Sequence, residues 1–328
     1  MRSRTQPRQD TRISSQMITV DGRERTFWTA VGTSGGAVET PSAVLLVLHG
    51  SSQTGLAVRA FSGQSFDTLA AGGRVAVVYP DGLKRAWNHA ARDIHTVDDV
   101  AFMTSLADHF HALYGPVPVI AAGYSNGGQM VIRLIHEIPD KLDGAAIVSA
   151  TLPRPGGLAF ADRSLPLPVL LIHGTRDRVV PYRGEGTLWG RWARNPGPSA
   201  PDTAQYFADR NGITEPPVET VLPHRSESGR TSVRVRRYTQ ERRLPVTLYT
   251  VVGGGHVVPN RRKRAIFVLG RTTQDLSTME AVADFFPVLR TPDAGTPGRG
   301  PSGLPGGPSD GSSAGLAPGG APADTAGK

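Results

Sequence analysis

Three residues in this chain have the types and settings for covalent chemistry. Ser125 sits in Gly123-Tyr124-Ser125-Asn126-Gly127, Asp177 closes His173-Gly174-Thr175-Arg176-Asp177, and His256 follows Gly253-Gly254-Gly255. A serine hydroxyl is a poor nucleophile at neutral pH and needs a base to take its proton. His256 can be that base and can later protonate a leaving group. Asp177 can hold the imidazole in one tautomer and stabilise its charged form. The Asn126 amide, at the start of an expected helix, can face a developing oxyanion. A second donor is expected just after His49-Gly50, from the backbone of Ser51 or Ser52.

The elements that must position these residues are legible as alternating apolar runs and helical patterns. Strands are expected at 43–48, 75–79, 117–122, 144–149, 167–172 and 245–252. Helices are expected over 97–114, 126–138 and about 275–288. Met17–Val20, Asp21-Gly22 and Thr26–Val31 read as a hairpin on a short turn. Nearly uninterrupted apolar strands separated by helices indicate a mostly parallel sheet covered on both faces. Each candidate residue then falls just past the carboxyl end of a different strand, where open α/β sheets bind their ligands. The chain order Ser, acid, His is that of α/β-hydrolases.

Each feature alone has a plainer reading. Ser125 could be a helix N-cap, His256 a hydrogen-bonded structural histidine, Asp177 a turn residue. Four features at four strand ends in one order favour catalysis. Asp98-Asp99 reads as helix capping and favourable charge at a helix start rather than as a catalytic pair. His109 and His111, two apart on a helix, do not face one another, and no metal site is expected. Gly253–Gly255 lacks the following Lys-Ser/Thr of a phosphate loop and reads as the turn that presents His256. Trp87, Tyr124 and Trp189 are candidate substrate-pocket residues. For Trp87 a packed core position is an equal alternative, and Trp189 and Trp192 could simply pack the insertion at 184–201.

Composition bounds the rest. Hydrophobic residues make up 38% of 328, and the deficit is concentrated at the ends. From Thr291 to Lys328 the chain is mostly Gly, Pro, Ala and Ser and offers too little apolar surface to fold, so it reads as a disordered tail. Met1 to Ser15 is polar and also reads as unstructured. Residues 16–290 are left as one catalytic domain with a single core. There are no cysteines, which excludes disulfides, thiolate metal sites and a cysteine nucleophile. The net charge of +8 reads as a solvated arginine-rich surface rather than a nucleic-acid site. In Val233-Arg234-Val235-Arg236 it alternates like an exposed strand face. No apolar run reaches transmembrane length.

The stretches LHGSSQTG (48–55), GYSNGGQM (123–130), HGTRDRVVP (173–181) and GGGHVVP (253–259) resemble the polyhydroxybutyrate-depolymerase/feruloyl-esterase (LpqC-like) group of α/β-hydrolases. Val78–Gly82 with Ala86–Asn88, and Val97–Met103, also match that pattern. The resemblance spans roughly Val20 to Val288. It implies a serine carboxylic-ester hydrolase with the triad Ser125, Asp177 and His256. The implied substrates are hydroxyalkanoate, feruloyl, acetyl or small acyl esters. No cofactor is called for, and the expected partner is a small or oligomeric ester, with no nucleic acid and no membrane. Family members are usually secreted and often carry cysteines near the HG loop, where this chain has Ser51-Ser52. The lack of cysteine and of a signal peptide points instead to the cytoplasm. Compartment and oligomeric state stay open. The alternatives are a serine peptidase of the prolyl-oligopeptidase type, for which no propeller repeat is present, and a hydrolase-fold binding protein with little turnover.

Overall fold

The structure is a computed structural model that describes residues 10–90, 97–154, 161–184, 197–261 and 269–290. The expected tail at 291–328 and the candidates Trp189 and Trp192 lie outside the described residues.

The chain opens with a hairpin of β1 (Asp10–Val20) and β2 (Arg23–Ser34), paired in one register from Val20 opposite Arg23 to Asp10 opposite Thr33. Asp21 (φ 49°) and Gly22 (φ 73°) both have positive φ, the requirement of the tight hairpin turn that an Asp-Gly pair satisfies. The strand starts at Asp10, six residues before the expected boundary at Gln16. Its polar composition, read above as disorder, is the solvent-facing side of an edge strand whose cohesion comes from the backbone ladder.

A two-residue strand β3 (Ala37–Val38) adds to β2. The parallel centre follows: β4 (Ala43–Leu48), β5 (Val75–Pro80), β6 (Val119–Tyr124), β7 (Gly144–Val148), β8 (Val169–Gly174) and β11 (Val246–Val252). Two further strands, β9 (Val218–Val221) and β10 (Ser232–Tyr238), pair antiparallel beyond β11. The spatial order is β1-β2-β5-β4-β6-β7-β8-β11-β10-β9. The antiparallel far edge was not foreseen, because every residue of Val218–Val221 is exposed and the segment carries no apolar alternation. Val233 and Val235 of β10 are buried and Arg234 is exposed, as the Val-Arg alternation implied.

Strand residues alternate between two apolar layers. Val44, Leu46, Ala121 and Ile147 pack against α3 (Asp99–Tyr114), α4 (Asn126–Glu137) and α5 (Ala200–Arg210). Leu45, Val77, Ile120 and Val148 pack against α1 (Gly55–Phe61), α2 (Asp67–Ala71) and α6 (Thr278–Phe285). Such two-sided burial is why these strands read as continuous apolar runs. The sheet is the three-layer, mostly parallel arrangement expected from the sequence. Among the described residues, no helix is long and apolar enough to cross a membrane.

Candidate active site

Ser125 sits between β6 and α4 with φ 54° and ψ −118°. This backbone conformation is costly for a non-glycine residue and persists only where its surroundings enforce it. The flanking glycines explain how it is enforced. A Cβ on Gly123 would lie 2.2 Å from the Gly127 carbonyl oxygen, and one on Gly127 would lie 2.4 Å from that of Leu48. The turn is therefore closed too tightly for any side chain at either position, and it holds Ser125 half-exposed at the strand end.

The acid and histidine loops leave neighbouring strand ends. β8 and β11 pair in parallel, with Gly174 opposite Val251. A Cβ on Gly174 would meet the carbonyl oxygens of both Gly254 and Gly255 at 2.5 Å. Arg176 N–H donates to the Gly254 oxygen (2.8 Å), and Gly253 N–H donates to Thr175 Oγ1 (2.8 Å). The two loops are thus laced together by backbone contacts.

The three side chains come into one hydrogen-bonded line. His256 Nδ1 lies 2.7 Å from Asp177 Oδ2, and His256 Nε2 lies 2.9 Å from Ser125 Oγ. A carboxylate only accepts, so the imidazole proton is on Nδ1 and Nε2 is free to accept from the serine hydroxyl. Asp177 is buried, and its other oxygen accepts from the amides of Val179 and Val180, each at 2.8 Å. Tyr124 Oη donates to the His256 carbonyl (2.9 Å), its ring centroid 5.0 Å from the imidazole. Burial, and then the charge of Asp177, push the Tyr124 phenol up, so it stays a neutral donor.

The loop after β4 narrows the choice between Ser51 and Ser52. Ser52 N–H already donates to the Arg85 carbonyl (2.8 Å), Gly50 N–H to Gln53 Oε1 (3.0 Å) and Gln53 N–H to the Gly50 carbonyl (3.2 Å). Ser51 N–H makes no hydrogen bond among the described residues. The Asn126 amide, in the first turn of α4, has no intrahelical acceptor.

Of the candidate pocket residues, Trp87 takes the packed position that was the equal alternative, and Tyr124 is buried as well. Trp87 is 4% exposed. Its indole Nε1–H donates to the His49 carbonyl (2.9 Å), and its own amide donates to Asn126 Oδ1 (2.7 Å). It is buried between the His49 and Asn126 segments. Tyr124, also buried, supports the histidine loop. Of the acidic pair at the start of α3, Asp98 caps the helix by accepting from Ala101 N–H (2.8 Å). Asp99 instead turns inward to a buried ion pair with Arg25 (2.6 Å).

Sequence reasoning missed two buried histidines. His49 accepts from Gly82 N–H at Nε2 (2.9 Å) and so donates from Nδ1 to the Gly50 carbonyl (2.7 Å). His173 Nε2–H donates to the Val180 carbonyl (2.8 Å) and lies 3.5 Å from Asp177 Oδ2. Burial lowers the pKa of both, so each is neutral near pH 7. The available signal was the His-Gly dipeptide repeated at two strand ends.

Residues 103–188 match the family described as phospholipase/carboxylesterase. The protein recorded as "Putative esterase NocK", from Nocardia uniformis subsp. tsuyamanensis, is 30% identical over 292 residues, which cover 85% of this chain and 84% of that one. This chain belongs to the esterase family of α/β-hydrolases. The esterase is also 29% identical over 172 residues to the bifunctional acetylxylan esterase/xylanase XynS20E of Neocallimastix patriciarum, covering 52% of the esterase but 24% of that longer protein. Its fold resembles that of acetyl xylan esterase from Aspergillus awamori, with a TM-score of 0.55 at 13% identity, covering 84% of the esterase and 99% of that chain.

Proposed function

We propose that this esterase hydrolyses carboxylic esters through an acyl-enzyme, with Ser125 as nucleophile, His256 as base and acid, and Asp177 as the residue that orients His256. The unbroken line Ser125 Oγ–His256 Nε2 (2.9 Å) and His256 Nδ1–Asp177 Oδ2 (2.7 Å) carries the reading. Ser125 Oγ attacks the ester carbonyl carbon while its proton passes to His256 Nε2. The carbonyl oxygen becomes an oxyanion, which the amides of Asn126 and Ser51 stabilise. The carbon–oxygen bond to the alcohol then breaks, and His256 gives its proton to the leaving oxygen. Water repeats the sequence on the acyl-enzyme, with His256 as base, and releases the acid.

The substrate class we favour is an acetyl or similarly small acyl ester of a larger alcohol, such as an acetylated polysaccharide. The acetylxylan esterase activity named for XynS20E supports this choice. Feruloyl esters and hydroxyalkanoate oligomers, implied by the sequence resemblance, are the comparison substrates.

The test is a panel of p-nitrophenyl acetate, acetylated xylan, a feruloyl ester, a hydroxybutyrate oligomer and an anilide analogue, with Ser125→Ala in parallel. Ester turnover that disappears in Ser125→Ala, with the anilide untouched, is expected. More than a few per cent of wild-type kcat in Ser125→Ala would overturn the nucleophile assignment. Comparable anilide cleavage would make the protein an amide hydrolase instead.

A further inference from the structure

The two amides assigned to the oxyanion stand on different strands. Asn126 follows β6, and Ser51 follows β4. Donors aimed at a developing oxyanion work only if their spacing is set before the reaction, so something must tie the two loops together.

Trp87 contacts both. The Asn126 side chain engages both backbone groups of Trp87, with Oδ1 accepting from the Trp87 N–H (2.7 Å) and Nδ2 donating to the Trp87 carbonyl (3.3 Å). From the same residue, the indole Nε1–H reaches the His49 carbonyl (2.9 Å), two residues before Ser51. The indole and the His49 imidazole also pack at a centroid distance of 4.8 Å. The His49, Trp87 and Asn126 side chains are all buried.

The segment that carries Trp87 is itself anchored. Asn88 N–H donates to Asp99 Oδ2 (2.7 Å), and Arg133 Nη1 donates to the Asn88 carbonyl (2.7 Å). Asp99 in turn holds Arg25 of β2, which lies 4.0 Å over the Phe102 ring. The bridge between the two donor loops therefore rests on α3, α4 and the N-terminal hairpin, not on a free loop.

We infer that Trp87 is a positioning residue that sets the spacing between the Asn126 and Ser51 amides, through its indole N–H on one side and its backbone N–H and carbonyl on the other. The inference rests on the serine-esterase reading above. It says that loss of the bridge weakens binding of the tetrahedral, negatively charged state and leaves ground-state ester binding alone. Misplacement of a catalytic group by about 1 Å through a supporting residue costs up to about 10²-fold in rate.

The test compares full-length wild type, Trp87→Phe and Ser125→Ala. Trp87→Phe keeps an aromatic ring and removes the N–H. Kinetics on p-nitrophenyl acetate are read beside inhibition by phenylboronic acid, whose boron adds the serine oxygen to give a tetrahedral anion. Trp87→Phe is expected to lose about 10- to 10²-fold in kcat, to keep KM within about twofold, and to lose boronate affinity by a factor similar to that in kcat. Asn126→Ala keeps its backbone amide and gives a second route to the same signature if Trp87→Phe does not fold. The double variant should be no worse than the weaker single one, because both remove one bridge. Unchanged kcat and boronate affinity in folded Trp87→Phe or Asn126→Ala would overturn the inference, as would a rise in KM alone, the mark of a pocket wall. Hydrolysis surviving in Ser125→Ala would instead overturn the underlying serine-esterase reading.

Discussion

The chain uses the same ending on two strands and wires it differently. β4 ends at Leu48 and is followed by His49-Gly50, and β8 ends in Ile172-His173-Gly174. Both imidazoles are buried, and burial lowers both pKa values. At β4 the ring reaches outward to another loop, accepting from Gly82 N–H, while the carbonyl of the same residue takes the Trp87 indole. At β8 the ring closes back on its own loop, donating to the Val180 carbonyl beside the residues that hold Asp177. In the proposed mechanism the first loop presents the Ser51 amide, and the second presents the Asp177 carboxylate. The difference follows from what each must hold. An amide donor needs its neighbouring loops kept at a distance from one another, whereas a carboxylate needs its own loop kept rigid. At β4 the neutral imidazole uses both nitrogens, Nε2 accepting from Gly82 N–H and Nδ1 donating to the Gly50 carbonyl, whereas at β8 it is the Nε2–H donation to the Val180 carbonyl that serves the acid loop.

The sharpest way to break this comparison is at the carboxylate. Asp177→Asn should lose on the order of 10⁴ in kcat with the fold intact, by analogy with serine proteases. Asp98→Asn, at the cap of α3, and Asp202→Asn, in the first turn of α5, should keep kcat. Side-by-side kinetics with circular dichroism as a folding control decides it, and a collapse in either of the last two with Asp177→Asn near wild type would reverse the assignment.

The next effect separates the two histidines. His49→Leu removes the brace of the amide-bearing loop and is expected to lower kcat about tenfold with KM little changed, less than the 10²- to 10³-fold loss typical of a deleted donor. His173→Leu acts on the acid loop, so it should shift the pH–rate profile of kcat, whereas His49→Leu should not. Matching profiles for the two variants would mean that the loops are not specialised as described.

Stability should also report on them. His49, His173 and a third buried histidine, His136 of α4, all have pKa values lowered by burial. The unfolded chain, with ordinary imidazoles near pH 6.5, therefore binds more protons than the folded one on acidification. Stability is full above about pH 6.5 and falls as pH drops below it, by up to about 1.4 kcal/mol per pH unit for each such group. Urea unfolding between pH 7.5 and 5 should show the slope, and His173→Leu should flatten it. A wild-type protein equally stable across that range would contradict the neutral, buried state of these rings.

The smallest effect lies away from both loops. Asp202 completes a capping box with Ser199 at the start of α5. Asp202→Asn should cost less than about 1 kcal/mol, at the low end of cap losses, and leave kcat untouched, which thermal unfolding and kinetics together would show.

Much of this architecture was legible because burial on both faces writes continuous apolar strands into the chain. Ala43–Leu48 was placed to the residue, and the strands expected at 117–122 and 167–172 shifted by two at each end. Ser125, Asp177 and His256 could be singled out because each follows such a strand and the residue types are those of nucleophile, acid and base. The tight Gly123–Gly127 turn was legible too, since only glycine tolerates that closeness. Edge strands were the weak point. β1 and β9 carry polar or exposed residues, and their place in the sheet comes from backbone pairing that side-chain patterns do not record.

What only the tertiary structure decided was which groups meet. Sequence spacing does not tell whether Trp87 faces a pocket or a neighbouring loop, and its contacts come from residues 38 and 39 positions away. That the Ser52 amide is taken by the Arg85 carbonyl while the Ser51 amide makes no hydrogen bond among the described residues, the basis for proposing Ser51 as a donor, is likewise not written in the sequence. The inward turn of Asp99 needed Arg25, 74 positions away. Local patterns are set by burial along a single element. Hydrogen-bond partners across loops are chosen by how the packed elements bring their ends together, and that depends on the whole chain at once.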